Sequence, residues 1–306
     1  MTDEVAEVAP TIVGFPDGDL EAVAQVSWVG RDDAGRLLLV ADRTPFHPLD
    51  HTWPDQPADQ GTVAFGGRTH CVADVATGAF DVGGGAAALR LGSDIPVRRG
   101  EAGWTFVAVH VIADPERAVD VPAVGDELAL VVDGDYRLSL SAAHTACHLV
   151  ALALNDSIVG LWSKTPRLDC LGHPDFDQSA ITQSRITPWA STDHYRLGKS
   201  LRKSGFDRAG LVAGLDDVQD AVNRHLAQWI AVDGAIRIER EDEHLTARRW
   251  WTCDLPAGRA RLACGGTHLH STGSLGSVAV TLAATTDTFT VRTAVSPPPH
   301  RGGRRP

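Results

Sequence analysis

No apolar run in this sequence approaches the ~20 residues that a membrane-spanning helix needs. Its first residues, MTDEVAEVAP, are acidic where a secretory leader would be basic and then apolar. A cytoplasmic protein with no membrane partner is expected. Cysteine is sparse and odd in number: Cys71, Cys147, Cys170, Cys253 and Cys264 stand far apart. That excludes a disulfide framework and leaves buried thiols or metal ligands. Basic residues are in deficit, 28 Lys and Arg against 39 Asp and Glu, for a formal net charge of -11. Such a chain repels phosphate at long range, so DNA is not an expected partner and any RNA must meet a local basic surface. No internal repeat is visible.

What is present is an ordinary globular balance, 43% hydrophobic and 22% charged, over 306 residues. That length suits two domains with real cores. Roughly the first 135 residues alternate with the period of strands. Candidates are 22–29, 36–41, 62–65, 104–111 and 127–132, with turns at Gly83–Gly85 and Arg98–Gly100. Near Tyr136 the character changes. Leu140–Asn155, LSAAHTACHLVALALN, is rich in Ala and Leu without Gly or Pro and predicts a helix, with Ser139 or Ser141 as its cap. A second helix is expected over 215–231, where Val218, Ala221, Val222, Leu226 and Ile230 recur near helical spacing. Residues 163–214, dense in Pro, Asp and Ser, separate the two. Strands are expected at 259–264 and 277–283. The predicted fold is α+β: a small β-barrel over 1–136, an α+β domain over 137–295, and a disordered tail over 296–306, SPPPHRGGRRP.

His144 and His148 stand four apart on the first helix, so both imidazoles share one face and can reach one ion. Alone this is a modest signal, since paired histidines often sit unliganded. Cys264 and His268 flank Gly265-Gly266-Thr267, and the two glycines let the backbone bend until thiolate and imidazole converge. Together the four supply one thiolate and three imidazoles, the softness and count that one zinc ion prefers. Four protein ligands suit a closed structural site, whereas catalytic zinc keeps a position open, and both arrangements stand here. Cys147, at another angle on the helix, reads as a small buried hydrophobe. His270 reads as a partner of His268 or as nothing.

The two motifs, HTACH in a helix and ACGGTHLHSTGSLG far downstream, resemble the editing domain of alanyl-tRNA synthetase and its free-standing relatives, the AlaX trans-editing proteins. That family carries HxxxH, then CGGTH and a T-G-x-[IL]-G turn, here Thr272-Gly273-Ser274-Leu275-Gly276. The approach through Val222-Asn223 and LPAGRARLACGGTH is similar as well. Longer AlaX proteins carry a barrel with a motif like T-x-F-Y-P-x-G-G-G-Q-P-x-D-x-G. This chain has Thr44-Pro45-Phe46-His47-Pro48, then Gln56-Pro57-Ala58-Asp59-Gln60-Gly61. Between them, where the family has glycines, stands the bulkier Leu49-Asp50-His51-Thr52-Trp53-Pro54-Asp55.

The resemblance implies a trans-acting, zinc-dependent deacylase. It would hydrolyse the ester at the acceptor end of a mischarged tRNA, with His144, His148, Cys264 and His268 holding the ion. It implies that Thr44 recognises the side-chain hydroxyl of the wrong amino acid and that Gln56 lies near the scissile end. A site built to bond a hydroxyl rejects a substrate without one. Zinc would either activate water or polarise the carbonyl and orient the ribose. The altered 50–55 segment leaves two substrates open. One is seryl-tRNA(Ala); the other is a tRNA bearing a threonine-like or non-standard residue, such as a halogenated threonine. The segment also reads as a decorated surface loop. YRLGKSLRKSGFDR over 195–208 is the densest basic run in the folded part. Arg196, Lys199, Arg202, Lys203 and Arg208 are its candidates for phosphate contact, with Tyr195 or Phe206 for stacking. Two alternatives remain: a zinc hydrolase of small esters or amides, and a non-catalytic zinc-containing binding module.

Overall fold

The computed structural model describes residues 8–83, 89–113 and 121–298. It is a mixed α+β fold with a large antiparallel sheet. The expected turn at Gly84 and Gly85 and most of the expected tail, 299–306, lie outside the described residues. By compactness the chain divides into two units. Unit 1 is Met1–Arg137 with two later segments, Arg240–Arg249 and Gly265–Thr267. Unit 2 is Leu138–Glu239, Trp250–Cys264 and His268–Pro306.

Unit 1 holds β1 (Ile12–Val13), β2 (Glu21–Arg31), β3 (Leu37–Ala41), β4 (Arg43–Thr44), β5 (Gly61–Phe65), β6 (Arg68–Asp81), β7 (Leu89–Leu91), β8 (Trp104–Ile112) and β9 (Glu127–Val132). Seven of these form one sheet in the order β5-β9-β2-β3-β8-β6-β7, and β5 also pairs with β6, so the pairing returns on itself. Alternation explains the strands. In β9 the side chains of Leu128, Leu130 and Val132 are buried while Glu127, Ala129 and Val131 face out. In β3 both faces are covered: Leu37, Leu39 and Ala41 join one apolar cluster, Leu38 and Val40 another. The strand β6 was not expected from sequence. Its register shifts between Val72 and Asp74, which breaks the period-2 signal. It also carries Gly78 where a Cβ would sit 2.6 Å from Val109 Cγ2. The β5–β6 hairpin turns on Gly66 and Gly67, both at positive φ (55° and 71°), a pair of conformations that only glycine adopts cheaply.

Arg137 is buried, and its Nε donates to Asp59 Oδ1 at 2.8 Å. Its Nη2 donates to the other Asp59 oxygen and to the Pro45 carbonyl. Asp59 Oδ2 also accepts from the His47 amide. The segment 240–249 returns to unit 1, where the Leu245 amide donates to the Thr11 carbonyl at 3.0 Å and the Arg249 guanidinium lies 5.1 Å over the Phe15 ring.

Unit 2 is built on α1 (Gly134–Ser157). The helix begins earlier than Leu140. Asp133 Oδ1 accepts from the Tyr136 amide at 3.0 Å and so does the capping expected of Ser139 or Ser141, which lie buried inside the helix. By length and composition α1 passes the test for a membrane-spanning helix, but 83% of its most apolar stretch is buried within the fold. That is how the core helix of a folded domain behaves. The polar stretch 163–214 is structured: it carries α2 (Phe176–Ala180), β10 (Ile181–Thr187), β11 (Ala190–Arg196), α3 (Lys199–Lys203) and α4 (Arg208–Ala213). Then come α5 (Leu215–Val232), β12 (Ile236–Arg240), β13 (Arg249–Leu255), β14 (Gly258–Ala263), β15 (Ser277–Ala284) and β16 (Thr288–Ser296). The sheets are β10-β11-β16-β15 and β12-β13-β14. Their core joins Ala142, Leu149 and Ala153 of α1 with Trp251, Phe176, Tyr195 and Phe289.

Removing the carboxylate of Asp59 strands a buried guanidinium, a loss of roughly 3–5 kcal/mol. Urea unfolding followed by tryptophan fluorescence should show a loss of that size for Asp59→Ala. A loss below about 1 kcal/mol would mean the pair does not organise unit 1.

Candidate metal centre

The helix α1 carries His144 and His148 one turn apart, and the loop after β14 carries Cys264 and His268. All four belong to unit 2. Their ligand atoms lie within 4.8 Å of one another. Cys264 Sγ is 3.4 Å from His144 Nε2 and 3.2 Å from His268 Nε2. The three imidazoles face one another, with centroids 4.4 Å apart for His144–His268, 4.9 Å for His144–His148 and 5.0 Å for His148–His268.

Zinc bonds of ~2.0–2.1 Å to nitrogen and ~2.3 Å to sulfur give tetrahedral edges of ~3.4 and ~3.6 Å. The observed sulfur–nitrogen separations, 3.4 and 3.2 Å, are somewhat shorter than the ~3.6 Å sulfur–nitrogen edge. His148 Nε2 is buried with no hydrogen-bond partner, a costly state unless its lone pair is used. Burial pushes the His148 imidazole down to about 4, so the ring is neutral, the form that ligates. Trp251 of β13 walls the site, its ring 5.1 Å from that of His148. The donor set therefore fits a soft divalent ion.

Around the ligands, Thr145 Oγ1 lies 3.3 Å from His268 Nδ1 and accepts from the Leu269 amide at 3.0 Å. Sequence reasoning passed over Thr145. The sequence shows only a β-branched hydroxyl within an Ala/Leu stretch, and its full burial emerges from the structure. His270 is exposed, and its backbone carbonyl bonds Ile236. Cys147 is not an inert hydrophobe. Its Sγ stands 3.6 Å from both oxygens of buried Asp193, which also accepts from Ser184 Oγ at 2.6 Å. Cys71 and Cys170 are exposed, so the expectation of buried or ligating thiols fails for them.

The two residues singled out for catalysis lie in unit 1. Thr44, at the end of β4, is 1% exposed. Its Oγ1 is 2.8 Å from His110 Nε2 and accepts from the Phe46 amide. With His110 Nδ1 at 3.2 Å from the Leu39 carbonyl, the consistent tautomer has Nδ1–H donating and Nε2 accepting from the threonine hydroxyl. Gln56 is equally buried, and its amide grips Thr267: Nε2 donates to Oγ1 at 2.9 Å and Oε1 accepts from the Thr267 amide at 3.1 Å. Thr267 directly precedes His268 in sequence.

The 50–55 segment is an ordered turn. Asp50 Oδ1 accepts from Thr52 and Trp53, and its Oδ2 pairs with Arg99 at 3.0 Å. Burial raises the Asp55 carboxyl to about 6. In the basic run, Arg196, Lys199, Arg202 and Lys203 are exposed. Arg208 is spent on the Leu197 and Thr286 carbonyls. Tyr195 and Phe206 are buried, Tyr195 donating to Asp177 at 2.8 Å, so neither offers a stacking face.

No protein-family model matches the sequence, and no curated protein matches it significantly.

Burial holds His110 and His47 neutral down to about 4, against an ordinary value of 6.5. Protonation therefore favours the unfolded chain. Their contribution is complete above pH 6.5 and is lost as the pH falls from there through 4. Each is worth on the order of 3 kcal/mol. Metal-free His110→Phe should thus lose about 2 to 3 kcal/mol less stability than the parent chain between pH 7 and 4.5. Equal losses in denaturant titrations at the two pH values would contradict this.

Proposed function

We propose that the chain is a zinc-dependent, trans-acting aminoacyl-tRNA deacylase of the kind that the AlaX trans-editing proteins represent. The observation that carries this is convergence. The four residues singled out by the resemblance, some of them 120 positions apart, present their ligand atoms to a common point. The donor set of one thiolate and three imidazoles supports zinc over harder divalent ions. The sheet of unit 1, closed by the β5–β6 pairing, is read as the barrel of the longer family members, and the compartment as the cytoplasm.

Hydrolysis breaks the bond between the amino acid's carbonyl carbon and the ribose oxygen. Water supplies the new carbon–oxygen bond, and free amino acid and tRNA depart. When bound, zinc supplies Lewis acidity that eases attack on an ester carbonyl. The protein's share is to hold the ligating side chains in register. Neutral His148 stands ready without prior proton loss. The Thr44 hydroxyl is engaged with His110, so recognition of a substrate hydroxyl through Thr44 requires an exchange of that bond. The proposed substrates are seryl-tRNA(Ala) or a tRNA carrying a threonine-like or non-standard residue.

The tRNA partner is assigned to Arg196, Lys199, Arg202 and Lys203. The sequence has only the lysines Lys164, Lys199 and Lys203. Two of them lie on α3, and Lys164 Nζ donates to the Lys203 carbonyl. With Tyr195 and Phe206 buried, contact by this run is to phosphate by charge.

Against a panel of radiolabelled mischarged tRNAs, the chain should release serine or a threonine-like residue and spare correctly charged Ala-tRNA. His148→Ala should lose metal and turnover together. Reversing Arg202 and Lys203 to Glu should raise KM at least several-fold with little change in kcat. Turnover of simple esters without any charged tRNA would sink the assignment, as would bound metal with no turnover at all.

A further inference from the structure

The bonds around His268 carry a consequence for how the centre is assembled. The ring turns Nε2 toward Cys264 Sγ at 3.2 Å and Nδ1 toward Thr145 Oγ1 at 3.3 Å. A neutral imidazole that offers a lone pair on Nε2 must carry its proton on Nδ1. That N–H then donates to the threonine oxygen. The same oxygen accepts the Leu269 amide at 3.0 Å. Both lone pairs of one hydroxyl are thus taken by two groups of the loop, the ring of His268 and the amide that follows it. Thr145 has no solvent exposure and sits one residue after the ligand His144 on α1. A single rigid, β-branched side chain therefore fixes the ring orientation of a ligand that approaches on an otherwise separate segment.

We propose that Thr145 is a positioning residue for the metal centre: its hydroxyl, accepting from both His268 Nδ1–H and the Leu269 amide, sets the tautomer and orientation in which His268 ligates. This rests on the metal reading given above and adds the residue that enforces it. Partners that orient a ligating histidine typically contribute 10–100-fold in metal affinity. The isosteric Thr145→Val removes both acceptor sites while keeping the volume, whereas Thr145→Ser keeps them.

The test is zinc affinity by competition with a chromophoric chelator, with the unfolding midpoint of each metal-free variant measured separately. Thr145→Val should bind zinc on the order of 10–100-fold more weakly, and Thr145→Ser within about threefold of the parent. In parallel, nitrogen NMR of the His268 ring should report a proton on Nδ1 in the zinc-loaded parent. Should Thr145→Val fail to fold, Thr145→Ala gives the same reading with less bulk. Parent-like affinity in the hydroxyl-free variants, or equal weakening in Thr145→Ser, would overturn the role of the hydroxyl while leaving the centre intact. A parent chain that binds no zinc would instead overturn the metal reading and this inference with it.

Discussion

Three imidazoles and a thiol gathered within 4.8 Å, with the buried His148 Nε2 lacking a hydrogen-bond partner, form an arrangement whose cost a cation at their meeting point would offset. The rest of unit 2 reads as support for that convergence. The helix α1 packs many of its residues into the core, so the spacing between His144 and His148 is held by packing. The strands β13 and β14 supply the other half. Trp251 of β13 packs against the His148 ring, and Cys264 follows directly on β14. Two elements distant in sequence each contribute two ligands, and neither pair suffices alone for a four-coordinate ion.

Unit 1 follows the same economy with polar groups. Buried Thr44, Gln56, Asp59, His110 and Arg137 all have bonded partners, in keeping with the cost of burying a polar group without one. Arg137 binds Asp59 and the Pro45 carbonyl, and Asp59 in turn takes the His47 amide, so the 44–61 segment is ordered from beneath. The Asp50–Arg99 pair orders its turn. Where the family to which the resemblance points has a short glycine run, this chain has a turn built on side-chain bonds.

Much of this was legible because local signals were strong. Strands β3, β5, β8 and β9 alternate or run apolar, and α1 and α5 have helical composition over long stretches. The candidate metal ligands were legible through spacing: i, i+4 on a helix and a Gly-Gly bend between Cys264 and His268. The unread parts have physical causes. The register shift and Gly78 hide β6, and the polar outward faces of β10 and β11 make 181–196 look like loop. The return of 240–249 and 265–267 to unit 1 depends on long-range bonds that no local pattern announces. Thr145 and the Cys147–Asp193–Ser184 cluster were missed because small polar residues inside a helix or strand carry no distinctive spacing. Tyr195 and Phe206 looked available for stacking only because burial is invisible in a basic, polar run.

The central claim is that His144, His148, Cys264 and His268 together enclose one zinc ion. X-ray absorption at the zinc edge of the purified full chain tests it most directly. The account predicts one sulfur at ~2.3 Å and nitrogen neighbours at ~2.0–2.1 Å with the multiple scattering of imidazole. A shell of light atoms without sulfur would contradict it.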